Sequence, residues 1–289
     1  MVALRNAGLL ALPLALALAL VPAAAPARTA PPQRIVSLSP TATEDLFAIG
    51  AGRQVVAVDD QSNYPPNAPK TKLSGYTPNV EAIAKYRPDL VVISDDANGL
   101  SAALSKLHVH TLLLPPARSL GGAYAQIAKL GVVTGHVSAA ARVVARLRKS
   151  VSQIVASVPK SARGLTFYEE LSPDFYSATS KTFTGQVLTL LGLKDIADAA
   201  DKTGSGYPKL SAEYIVAANP DVIVLADTKC CAQTAAKVKA RPGWSSVRAV
   251  QDGGVIGVDD DVASRWGPRV VDFMRAVAHS AQIVAAKKQ

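Results

Sequence analysis

Short, continuous apolar runs alternate along the chain with segments whose apolar residues recur at helical spacing. Runs at 34–38, 55–58, 90–93, 110–114, 165–168 and 255–258 are rich in β-branched residues and bounded by Gly, Pro or Asp, the mark of buried strands. Between them the spacing predicts helices over residues 41–49, 101–107, 120–134 and 184–191, with a last amphipathic helix ending near Ala286. Strand and helix in alternation imply βαβ units and largely parallel sheets.

One stretch occurs twice. Residues 81–94, EAIAKYRPDLVVIS, read as a short helix, a Pro stop and a buried strand, and EYIVAANPDVIVLA returns at 213–226. The offset is constant, since 213 − 81 and 220 − 88 both equal 132. Solenoid periods run to roughly 20–50 residues. A single repeat at this longer spacing therefore predicts two similar α/β lobes, each with its own sheet. Asn79 and Ser211 precede the two copies as N-caps, which puts Glu81 and Glu213 in first helical turns. Thr41 or Thr43 is expected to cap the first helix, with Glu44 near its positive end.

Between the halves, residues 138–158 contain no Pro or Gly. Val143, Leu147, Val151, Ile154 and Val158 lie on one face, with Arg142, Arg146 and Lys149 mostly elsewhere. Such a helix is roughly 30 Å long. It is read as a strut joining the lobes, the alternative being a helix packed within one of them. The expected organisation is residues 28–137, an N-terminal lobe; 138–158, the bridging helix; and 159–289, a C-terminal lobe.

Residues 1–27 have the form of an export signal: Arg5, an apolar run from Gly8 to Val21, then Ala25-Pro26-Ala27 with cleavage after Ala27. The run is shorter than the roughly 20 residues that span a bilayer, which disfavours an uncleaved anchor. A periplasmic or secreted location follows. A net charge of +9 and a pI near 9.6 raise nucleic acid as a partner, but Lys and Arg are scattered without a basic run. A solvated basic surface in a cell envelope fits better. Cys230 and Cys231 are adjacent, and export permits a vicinal disulfide in a loop; a redox-labile pair, a soft-metal site and two free thiols are the alternatives.

Signs of catalysis are weak. His108-Val109-His110 would place two rings on one side of a strand edge, yet only His136 and His279 remain to complete a metal site. The Gly-rich stretch 203–207 lacks the Lys-Ser/Thr of a phosphate loop. No G-x-S-x-G elbow occurs. Glu169 and Glu170 with Asp174 offer acid–base groups in principle, but strand-end acids are expected to be solvated. No catalytic residue, metal or cofactor is assigned. A secreted hydrolase with a cleft active site and a metal-ion receptor remain as contrasting readings.

RIVSLSPTATE, NYPP, the two E-x-I-x-x-x-x-P-D segments, the Pro-free middle helix and SRWGPRVV stand in an order that resembles class III solute-binding proteins of ABC importers. The likeness covers the whole chain after residue 27. It is nearest to the cobalamin-binding branch and more distant from the iron–siderophore and haem binders. It implies two Rossmann-like lobes with mostly parallel sheets bridged by one long helix, the ligand held between them. It implies a monomer that captures cobalamin or a related corrinoid, or alternatively a ferric siderophore or haem, and delivers it to a membrane permease without chemistry. Matched by position, Tyr64, Tyr76 and Tyr207 would face the ligand, Asp261 and Arg265 would hold its polar edge, and Trp266 adjoins them. Glu81 and Glu213 match carboxylates that dock the permease. Tyr stands for Trp at positions 76 and 207, and Asp95-Asp96 is acidic where the cobalamin branch carries Trp and Arg.

Overall fold

The computed structural model describes residues 30–96 and 99–288. The export segment lies outside them. Among the described residues eight strands and eleven α-helices follow in order. The first half contains β1 (Ile35–Leu38), α1 (Pro40–Ala48), β2 (Val55–Val58), α2 (Val80–Ala84), β3 (Leu90–Ile93), α3 (Leu100–Ser105), β4 (His110–Leu113) and α4 (Leu120–Thr134). Next comes α5 (Val137–Ser157). The second half holds β5 (Thr166–Glu170), α6 (Phe183–Leu190), β6 (Lys194–Asp195), α7 (Ala212–Ala218), β7 (Val222–Leu225), α8 (Ala235–Lys239), α9 (Arg248–Asp252), β8 (Val255–Gly257), α10 (Asp260–Ala263) and α11 (Val270–Lys287).

The strands form two four-stranded parallel sheets of identical topology, β2-β1-β3-β4 and β6-β5-β7-β8. The repeated segment supplies the third strand of each, and the offset of 132 holds for α2 and α7 (212 − 80) and for β3 and β7 (222 − 90). Both repeat helices start on the expected caps: Asn79 Oδ1 accepts from the Ala82 N–H and Ser211 Oγ from the Tyr214 N–H. Each sheet is covered on both faces, which is why its strands read as unbroken apolar runs. In the first sheet Ile35, Leu90 and Val92 face one core while Val36, Val91 and Ile93 face another. In the second, Phe167, Val222 and Val224 are divided in the same way from Tyr168, Ile223 and Leu225.

The core that contains Ile35 also contains Val222, because α5 carries it from one sheet to the other. Helix α5 buries Ala140, Val143, Leu147, Val151 and Ile154, and packs against both α4 and α11. Those partners come from opposite halves of the chain, so α5 is not enclosed within one lobe.

The start of α1 differs from expectation. Ser39, not Thr41 or Thr43, is its N-cap, with Pro40 at the first helical position, where its missing N–H costs nothing. Thr41 and Thr43 fall inside the helix and are buried, and Glu44 lies mid-helix rather than at the positive end.

Candidate ligand-binding site

A cavity of about 380 Å³ opens at the carboxyl ends of the first sheet. Ser39, Pro40 and Thr41 come from the end of β1, Asp59 and Gln61 from the end of β2, and Ser94 and Asp95 from the end of β3. In open parallel sheets this edge is where ligands sit, because the chain leaves neighbouring strands in opposite directions and opens a crevice. The opposite wall is Asp261, Ser264, Arg265 and Trp266, brought across from the second half by the segment between β8 and α11.

A buried ion network holds that segment in place. Arg265 donates through Nη1 to Glu44 Oε1 at 2.9 Å and Asn63 Oδ1 at 3.0 Å, and through Nη2 to the Gln61 carbonyl and Asp261 Oδ1, both at 2.8 Å. Arg269 donates to both Glu44 oxygens at 2.9 and 2.6 Å. That pairing and the nearby acids keep Arg269 charged, against the cost of burial. Asp261 also accepts from Asn63 and from Lys229. Against its own desolvation, Lys229, Asn63 and Arg265 hold the Asp261 carboxyl below the usual aspartate range. The Arg265 fork is thus spent on protein acceptors. Asp261 fixes Arg265 rather than standing free for a ligand.

A loop from the second lobe grips the same segment. Asp260 accepts from the Thr228 hydroxyl and from the Lys229 and Cys230 N–H groups at 3.0, 2.8 and 2.8 Å. Cys230 and Cys231, next along, are joined by a disulfide.

The predicted site residues divide. Tyr76, Asp261, Arg265 and Trp266 line the cavity. Tyr76 is 81% exposed at its rim. Trp266 is steadied by a 2.9 Å hydrogen bond from Nε1 to Gln126 Oε1 on α4. Tyr64 and Tyr207 are not among the lining residues. The Tyr64 ring lies under the Arg269 guanidinium, 4.4 Å from centroid to Cζ, and its peptide bond to Pro65 is cis. Tyr207 stands in the second lobe, where partial burial and then the nearby Glu169 carboxylate raise its hydroxyl pKa. Glu81 and Glu213 are exposed in the first turns of α2 and α7. Local backbone and Ser211 hydrogen bonds keep the Glu213 carboxyl below its ordinary range.

Two expectations about other groups fail. His108 sits in a left-handed turn (φ 56°) ahead of β4, which begins at His110, so the pair does not share a strand edge. Among the described residues no group of three His, Cys, Asp or Glu is placed to hold a metal. Glu169 and Glu170 are not solvated but fully buried. Glu170 meets Arg241 in a two-point pair, both contacts 2.6 Å, with the guanidinium stacked over Trp244. Glu169 has no hydrogen-bond partner among the described residues at either oxygen. Burial pushes it up to about 7, with only Thr184 opposing. Asp174 is an exposed partner of Lys209, remote in character from an acid–base pair.

Comparison with known proteins matches the geometry. The periplasmic binding protein family covers residues 35–262. An ABC transporter substrate-binding lipoprotein of Bacillus subtilis is 31% identical over 258 residues, 86% of this chain and 80% of that protein. A cobalamin-binding protein of Halobacterium salinarum is also 31% identical, over 86% of this chain and 69% of its own length. A periplasmic haem-binding protein of Roseiflexus superimposes with a TM-score of 0.75 at 23% identity, over 88% of this chain and 99% of the other, a likeness of fold. Twin parallel sheets, a crossing helix, a crevice at the strand ends and a match over most of the chain place this protein in the periplasmic binding protein family, beside the substrate-binding components of ABC transporters.

Proposed function

We propose that the protein captures cobalamin or a related corrinoid and hands it to the permease of an ABC importer. The observation that carries the choice of ligand is an unfilled acceptor on the cavity wall. Arg265 is committed to Glu44, Asp261 and two neutral acceptors, and Asp261 to Asn63, Lys229 and Arg265, whereas Asp59 Oδ1 has no hydrogen-bond partner among the described residues. Such a wall offers an acceptor and, among its described lining residues, no uncommitted cation for an anion. A corrinoid is rimmed with primary amides, which donate. Haem presents two carboxylates, and many ferric siderophores are anionic, so neither finds a cationic partner here. Tyr76 and Trp266 offer the aromatic area that a large flat ligand buries. Glu81 and Glu213, equivalent by the internal repeat and both exposed, serve as the paired contacts to basic residues of the permease.

Trp266 on the cavity wall supplies the signal for a direct test. Fluorescence titration of the purified protein with cyanocobalamin is expected to saturate with a dissociation constant of about 1 µM or lower, a free energy near −8 kcal/mol. Saturation by haem or a ferric siderophore, without a response to cyanocobalamin, would move the ligand to those classes.

A further inference from the structure

We propose that Asp59 is the specificity-determining residue of the cavity, reading a primary-amide donor on the ligand and turning away the carboxylate that would replace it. This rests on the corrinoid reading above.

Asp59 follows β2, donates its N–H to the Ser37 carbonyl of β1 at 3.0 Å and is bridged to Leu73, so its backbone is fixed on both sides. It is 3% exposed and lines the cavity. Its Oδ1 has no hydrogen-bond partner among the described residues. A buried acceptor left in this state costs about 1–3 kcal/mol, which an occupant with an N–H to give recovers.

The surroundings leave Oδ1 without a donor from the described residues. Behind Asp59, Thr43 Oγ1 joins Ser37 Oγ and Ser62 Oγ, each at 2.9 Å, and Ser37 Oγ passes on to the Ser39 carbonyl. These hydroxyls are buried and already linked to one another. On the cavity side stands Gly75, where a Cβ would lie 2.7 Å from Asp59 Oδ2 and 2.9 Å from the Leu38 carbonyl. A side chain at 75 would collide with Oδ2 and displace the carboxyl; glycine lets Asp59 keep its place on the cavity wall. Asp261, another carboxylate on the wall, is already filled by Asn63, Lys229 and Arg265. Burial raises the Asp59 pKa, and Ser62 and the more distant Arg265 oppose that rise. In either protonation state an amide N–H finds an acceptor here, whereas a ligand carboxylate meets an ionised Asp59 as a like charge.

Calorimetry on the unsubstituted protein, Asp59→Asn and Asp59→Ala tests this, using cyanocobalamin and its monocarboxylic acids, in which one amide is hydrolysed. Thermal unfolding confirms that each variant is folded, and Asp59→Asn keeps the side-chain shape if Asp59→Ala does not fold. The unsubstituted protein is expected to prefer cyanocobalamin over at least one monocarboxylic acid by about tenfold or more. Asp59→Ala is expected to lose affinity for cyanocobalamin by a similar factor. Asp59→Asn, able to donate as well as accept, is expected to erase most of the preference. Equal preference in all three proteins overturns the role of Asp59 and leaves the corrinoid reading intact. Absence of cyanocobalamin binding by the unsubstituted protein overturns both.

Discussion

Arg265 and Glu44 are 221 positions apart and joined by a 2.9 Å charged hydrogen bond, with side chains only 6% and 2% exposed. Through this contact the return segment after β8 is seated on α1, and the cavity acquires its second wall. Arg269 shares the same carboxylate.

Removing one member of a buried ion pair strands the other, a penalty of about 3–5 kcal/mol. Glu44→Ala strands Arg269 and leaves Arg265 with Asp261 as its remaining ionic partner, and is expected to destabilise the fold by about that range in urea unfolding. Glu44→Gln retains an acceptor and is expected to cost less. Arg265→Ala leaves Glu44 paired with Arg269, so its stability loss should be smaller, while Asp261 and Trp266 lose their anchor and ligand affinity falls. An Arg265→Ala protein with unchanged affinity would show that the return segment holds its place without that fork.

The second lobe predicts a pH effect of definite sign. Glu169 is pushed from near 4.5 to about 7, and Asp195 to about 8, each mainly by burial. A carboxyl whose folded pKa is raised binds its proton in the folded state at pH values where the unfolded chain has released it. Stability therefore falls as pH climbs from the unfolded pKa towards the folded one, and the loss is complete above it. For Glu169 the window is about pH 4.5–7, with a cost of about 3 kcal/mol. Glu169→Gln is expected to raise the melting temperature at pH 8 and to flatten its decline between pH 5 and 8. A variant that melts lower than the unsubstituted protein at pH 8 would show that the carboxylate is compensated in solution.

Much of the architecture was legible in the sequence because parallel strands covered on both faces must be apolar throughout, and short runs such as LVVI and VIVL declare themselves. The repeat offset carried over to strand order, since two copies of one βαβ pattern fold alike. The buried polar groups were not legible. Glu44 looked like a helix-end charge, and its partners lie more than 200 residues away. Glu169 and Glu170 looked like solvated strand ends because nothing local shows that α6 and the Arg241 segment cover them. Asp59 carried no motif at all; a close reading of Gly75, required wherever backbone and carboxyl approach so tightly, was the available hint. Tyr64 and Tyr207 were placed by resemblance, but one ring is engaged by Arg269 and the other stands beside the second sheet.

The matched positions of Glu81 and Glu213 carry a separate prediction. Glu81→Arg combined with Glu213→Arg is expected to abolish uptake in a strain that depends on this protein, while the ligand dissociation constant stays within about twofold. Both residues are exposed, so the fold should be indifferent. Undiminished uptake by the double variant would remove them from the docking surface.

The sharpest measurement compares two ligands of similar breadth and opposite edge chemistry. Dissociation constants for cyanocobalamin and haem, taken by calorimetry on one sample at neutral pH, should differ by at least about tenfold in favour of cyanocobalamin, a gap of about 1.4 kcal/mol. Haem bound as tightly or more tightly would mean that the unfilled acceptor at Asp59 and the committed Arg265 do not choose the ligand.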